Sequence, residues 1–133
     1  MRHIYLLIIS FFLCFSSGSL ANQKELELLN QGEKIIFIRH AYAPGGGDPS
    51  NFSLDDCKTQ RNLNQQGIEQ SILLGKIFQD NNIPFDKVYS SQWCRCKDTA
   101  QYAFGDYQEL NSLNSTFSQN YNKNHLRQMK ELK

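Results

Sequence analysis

Short apolar runs predict three strands in the chain. Residues 34–39 place four consecutive apolar side chains between a lysine and an arginine, and a proline and three glycines follow. An unbroken run of this length that is ended by turn residues is typical of a strand buried on both faces within a parallel sheet. Residues 86–89 and 107–110 predict two further short strands.

Apolar residues four positions apart predict a long helix after the first strand and its loop. Ile68 and Ile72, and then the pairs at 73/77 and 74/78, lie on one helical face. Asn64 is a suitable N-cap for a helix that begins at Gln65 and ends near residues 80–82, before a proline.

Two further helices are predicted in the second half of the chain. Ser90-Ser91 can cap a helix over residues 92–104, and Gly105 suits its C-terminal end. A last helical pattern covers residues 126–132. The order strand, loop, helix, strand, helix, strand, helix predicts an α/β fold with a mostly parallel sheet and right-handed crossovers.

The first 21 residues have the pattern of a secretory signal peptide. Arg2 precedes an apolar stretch over residues 4–15, and small residues end at Ala21. That stretch is too short to span a bilayer, so no stable membrane insertion is expected after cleavage; the alternative is an uncleaved anchor helix. We therefore predict a signal peptide over residues 1–21, one domain over residues 22–133, and export to the periplasm or the medium.

The charge balance argues against nucleic acid as a partner. Without Arg2, the 14 basic residues of the chain fall to 13, which equals the number of acidic residues. A neutral chain without basic runs offers no electrostatic surface for nucleic acid or for an anionic membrane.

Chemistry-bearing residues follow two of the predicted strands. Arg39 and His40 end the first strand, while Ser90-Ser91 end the second strand just before a helix that carries Arg95. In a parallel sheet both positions lie at the carboxyl edge, where ligands bind. A helix N-terminus and two guanidinium groups around one imidazole suit a phosphoryl group, since the imidazole nitrogen can attack phosphorus. The competing interpretation is a strand that merely ends in two polar residues.

Three segments, in this order, resemble the histidine phosphatase superfamily, which includes the phosphoglycerate mutases. Arg39-His40-Ala41 is similar to its Arg-His-Gly or Arg-His-Ala signature. Residues 60–67, Gln-Arg-Asn-Leu-Asn-Gln-Gln-Gly, resemble its Asp-Arg-Pro-Leu-Thr-x-x-Gly segment, and residues 88–100 resemble its Ser-Ser-x-x-x-Arg-x-x-x-Thr-Ala segment. With Asp56-Cys57 and Trp93-Cys94-Arg95-Cys96, the set resembles an exported bacterial subgroup.

The resemblance implies a mechanism and a set of partners. His40 would be the phosphorylated nucleophile, and Arg39 and Arg95 would bind the phosphate as catalytic and substrate-binding residues. The substrate would be a phosphorylated small molecule or a phosphoprotein, and neither a metal nor another cofactor is implied. The fold would be part of the phosphoglycerate mutase-like three-layer sandwich.

The chain departs from the family pattern after residue 105. The family places a second histidine after a later strand, but His125 follows an Asn-rich segment and is expected on a helix surface. The proton-donating acid is also undefined, since Asp106 and Glu109 fit no motif. We therefore expect a C-terminally truncated domain that lacks one or more strands and has weak or no turnover.

The cysteines predict one disulfide. After removal of the signal peptide, Cys57, Cys94 and Cys96 remain, and a pair is expected to oxidise in an exported protein. Positions 94 and 96 diverge by about 200° on a helix, so at most one of them meets Cys57. A bridge to either would hold the long loop at residues 41–60 against the helix that carries Arg95; the alternative is three buried thiols.

Three functions remain open from the sequence. The first is phosphomonoester hydrolysis through a phosphohistidine on His40. The second is a catalytically inactive phosphate-binding remnant of such an enzyme. The third is a secreted, disulfide-linked binding domain in which Arg39-His40 is incidental, and it predicts no affinity for anions.

Overall fold

The computed structural model describes residues 19–117 and 121–132. Its helices are α1 (Ser19–Asn30), α2 (Gln65–Asp80), α3 (Cys94–Phe104) and α4 (His125–Glu131), and its strands are β1 (Tyr89–Ser90) and β2 (Gln108–Glu109). Short 3-10 turns cover Cys57–Thr59, Asn111–Leu113 and Asn122–Asn124. Residues 1–18 of the predicted signal peptide lie outside the described residues. No helix within the described ranges has the length and apolar character needed to cross a membrane.

Helix α2 begins where its cap predicts. The Asn64 side chain accepts a hydrogen bond from the Gly67 backbone N–H, which satisfies one of the free donors of the first turn. The helix then continues to Asp80, inside the predicted range. The prediction of this element from its cap and its apolar spacing is confirmed.

Small residues, rather than the predicted apolar face, bring α2 against its neighbours. Gly67 and Ser71 are buried on α2, whereas Ile72 and Leu73 are 52% and 57% exposed. A Cβ atom at Gly75 would overlap the backbone carbonyl of Ala103 on α3. The two helices therefore approach to backbone contact, which larger side chains would prevent.

An aromatic cluster closes the far end of the α2–α3 pair. Phe78 of α2 makes edge-to-face contacts with Phe85 and with Phe104 of α3, at ring centroid distances of 6.1 and 5.1 Å. Edge-to-face packing of this kind adds to the stabilisation from burial. Ile83 is buried in the connection after α2.

The sheet consists of two parallel strands in the described residues. Tyr89 of β1 pairs with Gln108 of β2, and Ser90 pairs with Glu109, with α3 as the crossover between the strands. The predicted parallel order is confirmed for this pair. The α/β class is therefore observed as a mixture of helices with a small parallel sheet.

The predicted first strand is wrong as an element. Residues 34–39 form no helix and join no strand ladder in the described part of the chain, and Ile35 and Phe37 are 84% and 75% exposed. A strand is stable only when its backbone N–H and C=O groups pair laterally, and here a cleft separates this segment from residues 84–91. The apolar composition of the run favoured a buried strand, but composition does not supply the pairing partner.

The predicted serine cap of α3 is also wrong. The helix begins at Cys94 with Trp93 in the N-cap position, and Ser90 Oγ instead donates to the Ser91 carbonyl. Gln60, from the loop before α2, supplies the cap, because its Oε1 accepts the Cys94 backbone N–H at 3.0 Å. Gly105 ends α3 with a φ of 79°, as predicted.

Candidate active site

The segment that carries His40 is tied to the first turns of α3. The Ala41 backbone N–H donates to Thr99 Oγ1 at 3.0 Å, and Thr99 Oγ1 donates to the Arg95 carbonyl at 2.7 Å. Ala41 and Thr99 are both buried. The sequence-predicted meeting of His40 with the helix that carries Arg95 is thus present, although the first strand is not.

The His40 imidazole is oriented by its own backbone. Its Nδ1 lies 2.7 Å from the Ala41 carbonyl oxygen, which can only accept, so Nδ1 carries the proton and Nε2 keeps its lone pair. Partial burial lowers the pKa of His40 below its ordinary value of 6.5; the Ala41 carbonyl opposes this shift, and the charges of Arg95, Arg61 and Arg39 add to it. His40 is therefore a neutral imidazole with a free Nε2 at neutral pH.

Arg95 is a buried cation whose Nε–H has no hydrogen-bond partner. Its side chain is 9% exposed, and its Nη1 donates to Asp48 Oδ1 at 2.8 Å and to the Arg61 carbonyl at 3.3 Å. The Nε–H is buried and has no hydrogen-bond partner. A buried N–H without an acceptor is costly, so this edge of the guanidinium is suited to an added oxyanion.

Arg61 is a second cation that the sequence reasoning did not assign to the site. Its Nη1 donates to the carbonyls of Ala43 and Gly45 at 2.6 and 3.2 Å. These bonds hold the start of the glycine loop, which is residues 45–47. Its Nε is likewise buried and without a partner. The available signal was the position of Arg61 in the segment that resembles the second family motif.

Asp48 and Trp93 complete the surroundings of Arg95. Trp93 is only 3% exposed, and its Nε1–H donates to Asp48 Oδ2 at 3.0 Å. The Arg95 guanidinium carbon lies 5.9 Å from the centre of the Trp93 ring, within the range of a cation–π contact. Asp48 was missed because one aspartate in a loop of glycine and proline carries no periodic signal.

Arg39 lies apart from these contacts. Its side chain is exposed and donates no hydrogen bond to the described residues. Among the three arginines it has the smallest effect on the pKa of His40. The two arginines that hold buried, unpartnered N–H groups are Arg95 and Arg61.

A cleft of about 780 Å³ opens beside His40. Residues 34–38 line one part of the cleft, and residues 84–91 line another. Ser91, Cys96 and Thr99 line the same cleft as His40. The imidazole is therefore accessible from a space large enough for a small phosphorylated molecule.

The disulfide joins Cys57 to Cys94 and leaves Cys96 as a free thiol. Of the two pairings that the sequence left open, the structure has the bridge at Cys94. The bridge connects the long loop to the first residue of α3, next to Arg95. Burial raises the pKa of the Cys96 thiol, although Ser91 and Arg95 oppose the shift, so this thiol is a weak nucleophile at neutral pH.

The remaining candidate residues lie away from the His40 cleft. His125 is exposed at the start of α4, as predicted. Glu109 pairs with Lys97 at 3.2 Å, and the Asp106 carboxylate accepts the Tyr107 backbone N–H. Neither acid lines the cleft, so no proton donor is defined by these two positions. Across the described ranges, no group of three His, Cys, Asp or Glu side chains is placed to hold a metal ion.

The comparisons with known proteins identify one family. The family model of the histidine phosphatase superfamily (branch 1) matches residues 35–115, which is more than half of the chain. Searches of curated proteins and of solved structures gave no match. The match spans His40, Arg61, Arg95 and the disulfide. The chain therefore belongs to the histidine phosphatase superfamily.

Proposed function

We propose that the chain hydrolyses phosphomonoesters through a phosphohistidine on His40. The observation that carries the proposal is the His40 imidazole, whose Nδ1 is held by the Ala41 carbonyl and whose neighbour Ala41 is bonded through Thr99 to Arg95. Burial lowers the pKa of the same imidazole, and the charges of Arg95 and Arg61 lower it further. This arrangement combines a neutral nucleophile with cations for the phosphoryl oxygens. Membership of the family supports phosphatase or mutase chemistry in general terms.

The reaction follows in two displacements. His40 Nε2 attacks phosphorus, the bond from phosphorus to the ester oxygen breaks, and the leaving alcohol takes a proton from water. Water then attacks the phosphohistidine, the bond from phosphorus to nitrogen breaks, and inorganic phosphate leaves while His40 regains its neutral form. Arg95 and Arg61 stabilise the charge on the phosphoryl oxygens, and exposed Arg39 is the third cation that can reach them.

The leaving group sets the rate in this proposal. Among the described residues that line the cleft, His40 is the one histidine, and the two acids, Asp86 and Glu131, make no hydrogen bond to it. An alkoxide must then leave without a positioned proton donor, which costs about 10²–10⁴-fold in rate. A phenolate leaves without such help, so aryl phosphates are expected to turn over slowly and alkyl phosphates much more slowly.

The test is a comparison of wild type with His40→Ala. Incubation with an aryl phosphate should release phenol from the wild type, and acid-labile, base-stable phosphate should appear on the protein. Both signals should be absent in His40→Ala. Phenol release that persists in His40→Ala would contradict the proposal.

Phosphate binding without turnover is the second candidate function. This candidate is favoured by the position of His125, which is exposed and does not line the cleft. In the described part of the chain, His40 is the one histidine that lines the cleft. Inorganic phosphate would then bind, but no phosphohistidine would form from the aryl ester. Phosphohistidine formation distinguishes the two candidates directly.

Export belongs to the same proposal. The Cys57–Cys94 disulfide supports an oxidising compartment, such as the periplasm or the medium, because disulfides rarely persist in the cytosol. The substrate would then be an extracytoplasmic phosphorylated small molecule or phosphoprotein.

A further inference from the structure

Asp48 is a part-buried carboxylate that joins three parts of the site. It follows the glycine loop directly, and its side chain is 11% exposed. Oδ1 accepts the Arg61 backbone N–H at 2.9 Å, and Oδ2 accepts Trp93 Nε1–H at 3.0 Å. Arg95 Nη1 donates to both oxygens, at 2.8 and 3.1 Å. Both carboxylate oxygens are therefore fully engaged.

Asp48 remains ionised at neutral pH. Burial alone would raise the pKa of Asp48, but the hydrogen bonds from the Arg61 backbone, Arg95 and Trp93 outweigh it and hold the pKa below its usual value. A carboxylate with these partners has no proton to give to a leaving group. Its role therefore concerns the group that it holds, which is the Arg95 guanidinium.

The contact with Asp48 engages only one nitrogen of Arg95. The guanidinium is planar, so fixing Nη1 also fixes the directions of its other N–H bonds. Nη1 is occupied by Asp48 and by the Arg61 carbonyl, while the Nε–H is buried without a partner. The guanidinium thus has a carboxylate on one edge and an unsatisfied donor on another. This is the arrangement expected of an arginine that is anchored and binds an anion.

We propose that Asp48 is a positioning residue for phosphate, because it anchors Arg95 through Nη1 and leaves the Nε–H edge for a phosphate oxygen. The inference rests on the proposed function, since it concerns the same anion. One carboxylate among three arginines leaves the site net positive when His40 is neutral. The same carboxylate also joins the glycine loop to α3 through Trp93.

The alternative hypothesis is that Asp48 weakens phosphate binding instead of supporting it. A carboxylate on Arg95 could instead occupy the place of the phosphate and exclude it. The two ideas predict opposite signs for removal of the charge: a positioning residue loses phosphate affinity when neutralised, and an internal competitor gains it.

The experiment is calorimetric titration of the oxidised full chain with inorganic phosphate. Asp48→Asn keeps the shape and one acceptor oxygen, and it should weaken binding about tenfold, with Asp48→Ala at least as weak. Asp55→Asn removes an exposed carboxylate from the same long loop and should bind as the wild type does. Near-ultraviolet circular dichroism of Trp93 shows whether each variant is folded.

A double-mutant cycle separates positioning from a general effect on the fold. In an Arg95→Gln background, Asp48→Asn should cause no further loss of affinity, because its partner is already absent. Equal or tighter phosphate binding by Asp48→Asn, or additive losses in the cycle, would overturn the inference and leave the proposed function intact. A wild type that binds no phosphate would overturn both.

Discussion

The orientation of the His40 imidazole comes from local contacts rather than from a strand. The Ala41 carbonyl fixes its tautomer, and the Ala41 N–H is fixed in turn by Thr99 of α3. The imidazole is thus attached to the helix that carries Arg95 through two backbone groups of its neighbour. This attachment keeps the imidazole near Arg95, even though residues 34–39 pair with no strand in the described ranges.

A lowered pKa of His40 is a testable prediction at the residue scale. Its pKa should lie below 6.5, because burial and the neighbouring arginines disfavour the imidazolium. The rate of phosphohistidine formation should therefore rise with pH through a midpoint below 6.5 and then level off. NMR titration of the ring protons measures the pKa, with His125→Asn used to assign the resonances.

The lowered pKa of His40 also makes the stability of the fold depend on pH. Because the unfolded chain takes up this proton at a higher pH than the folded chain, the His40 contribution to the free energy of unfolding is fully present above 6.5. It is lost progressively as the pH falls through the folded pKa. A titration midpoint above 6.5 would contradict the burial and charge environment assigned to His40.

Helices α2 and α3 depend on glycine for their close approach. A methyl group at Gly75 would overlap the Ala103 carbonyl, and backbone cannot move aside as a flexible side chain can. Gly75→Ala should therefore lower the free energy of unfolding by about 3 kcal/mol, measured by urea denaturation. Gly46→Ala, where no atom lies within 4 Å, is the matched control and should stay within about 0.5 kcal/mol of the wild type. Equal stability of the two variants would show that the helices lie further apart.

The segment at residues 34–39, which joins no strand ladder in the described ranges, gives a second prediction at the scale of elements. Phe37 is 75% exposed, so Phe37→Ala should change the free energy of unfolding by less than about 0.5 kcal/mol. Phe78 is 8% exposed and contacts two aromatic rings, so Phe78→Ala should lower the free energy of unfolding by about 3–5 kcal/mol. A buried strand, as the sequence predicts, would make the Phe37 variant costly as well, so the pair of measurements decides between them.

The outcome for these elements shows which signals the sequence carries. The Asn64 cap, the end at Gly105 and the parallel order of β1 and β2 were predictable, because each depends on neighbours in the chain or on a short crossover. Two features depend on groups far along the chain: the lack of strand pairing for residues 34–39 within the described ranges, and the Gln60 cap on α3. Periodicity has no access to such partners.

At the scale of the whole molecule, the site is assembled from distant segments by a few cross-links. The loop between His40 and α2 supplies Asp48, Gln60 and Arg61, and each contacts α3 or its first turn. The sequence predicted that His40 and Arg95 meet, since both follow predicted strands. It did not indicate Asp48 or Gln60, because their roles arise only when the loop folds back on the helix.

The Cys57–Cys94 disulfide is the covalent member of these cross-links, with a sequence separation of 37 residues. For a loop of this size the chain-entropy estimate is about 4 kcal/mol, a large part of the roughly 5–15 kcal/mol that stabilises an ordinary domain. Cys57→Ser with Cys94→Ser should lower the unfolding free energy by up to that amount. It should also weaken phosphate binding, because the loop that holds Asp48 and Arg61 loses its tether to α3. Denaturation and phosphate titration of the same preparation measure both effects.

Cys96→Ser is the matched control for the disulfide, because it removes a thiol and leaves the bridge intact. It should keep both the stability and the phosphate affinity close to those of the wild type. Mass spectrometry after alkylation, with and without reductant, should show two additional alkylated cysteines upon reduction. If the number of alkylated cysteines is the same in both samples, the bridge does not form. If the bridge forms but its removal leaves phosphate affinity unchanged, the hydrogen bonds of Gln60 and Asp48 alone hold the loop on α3.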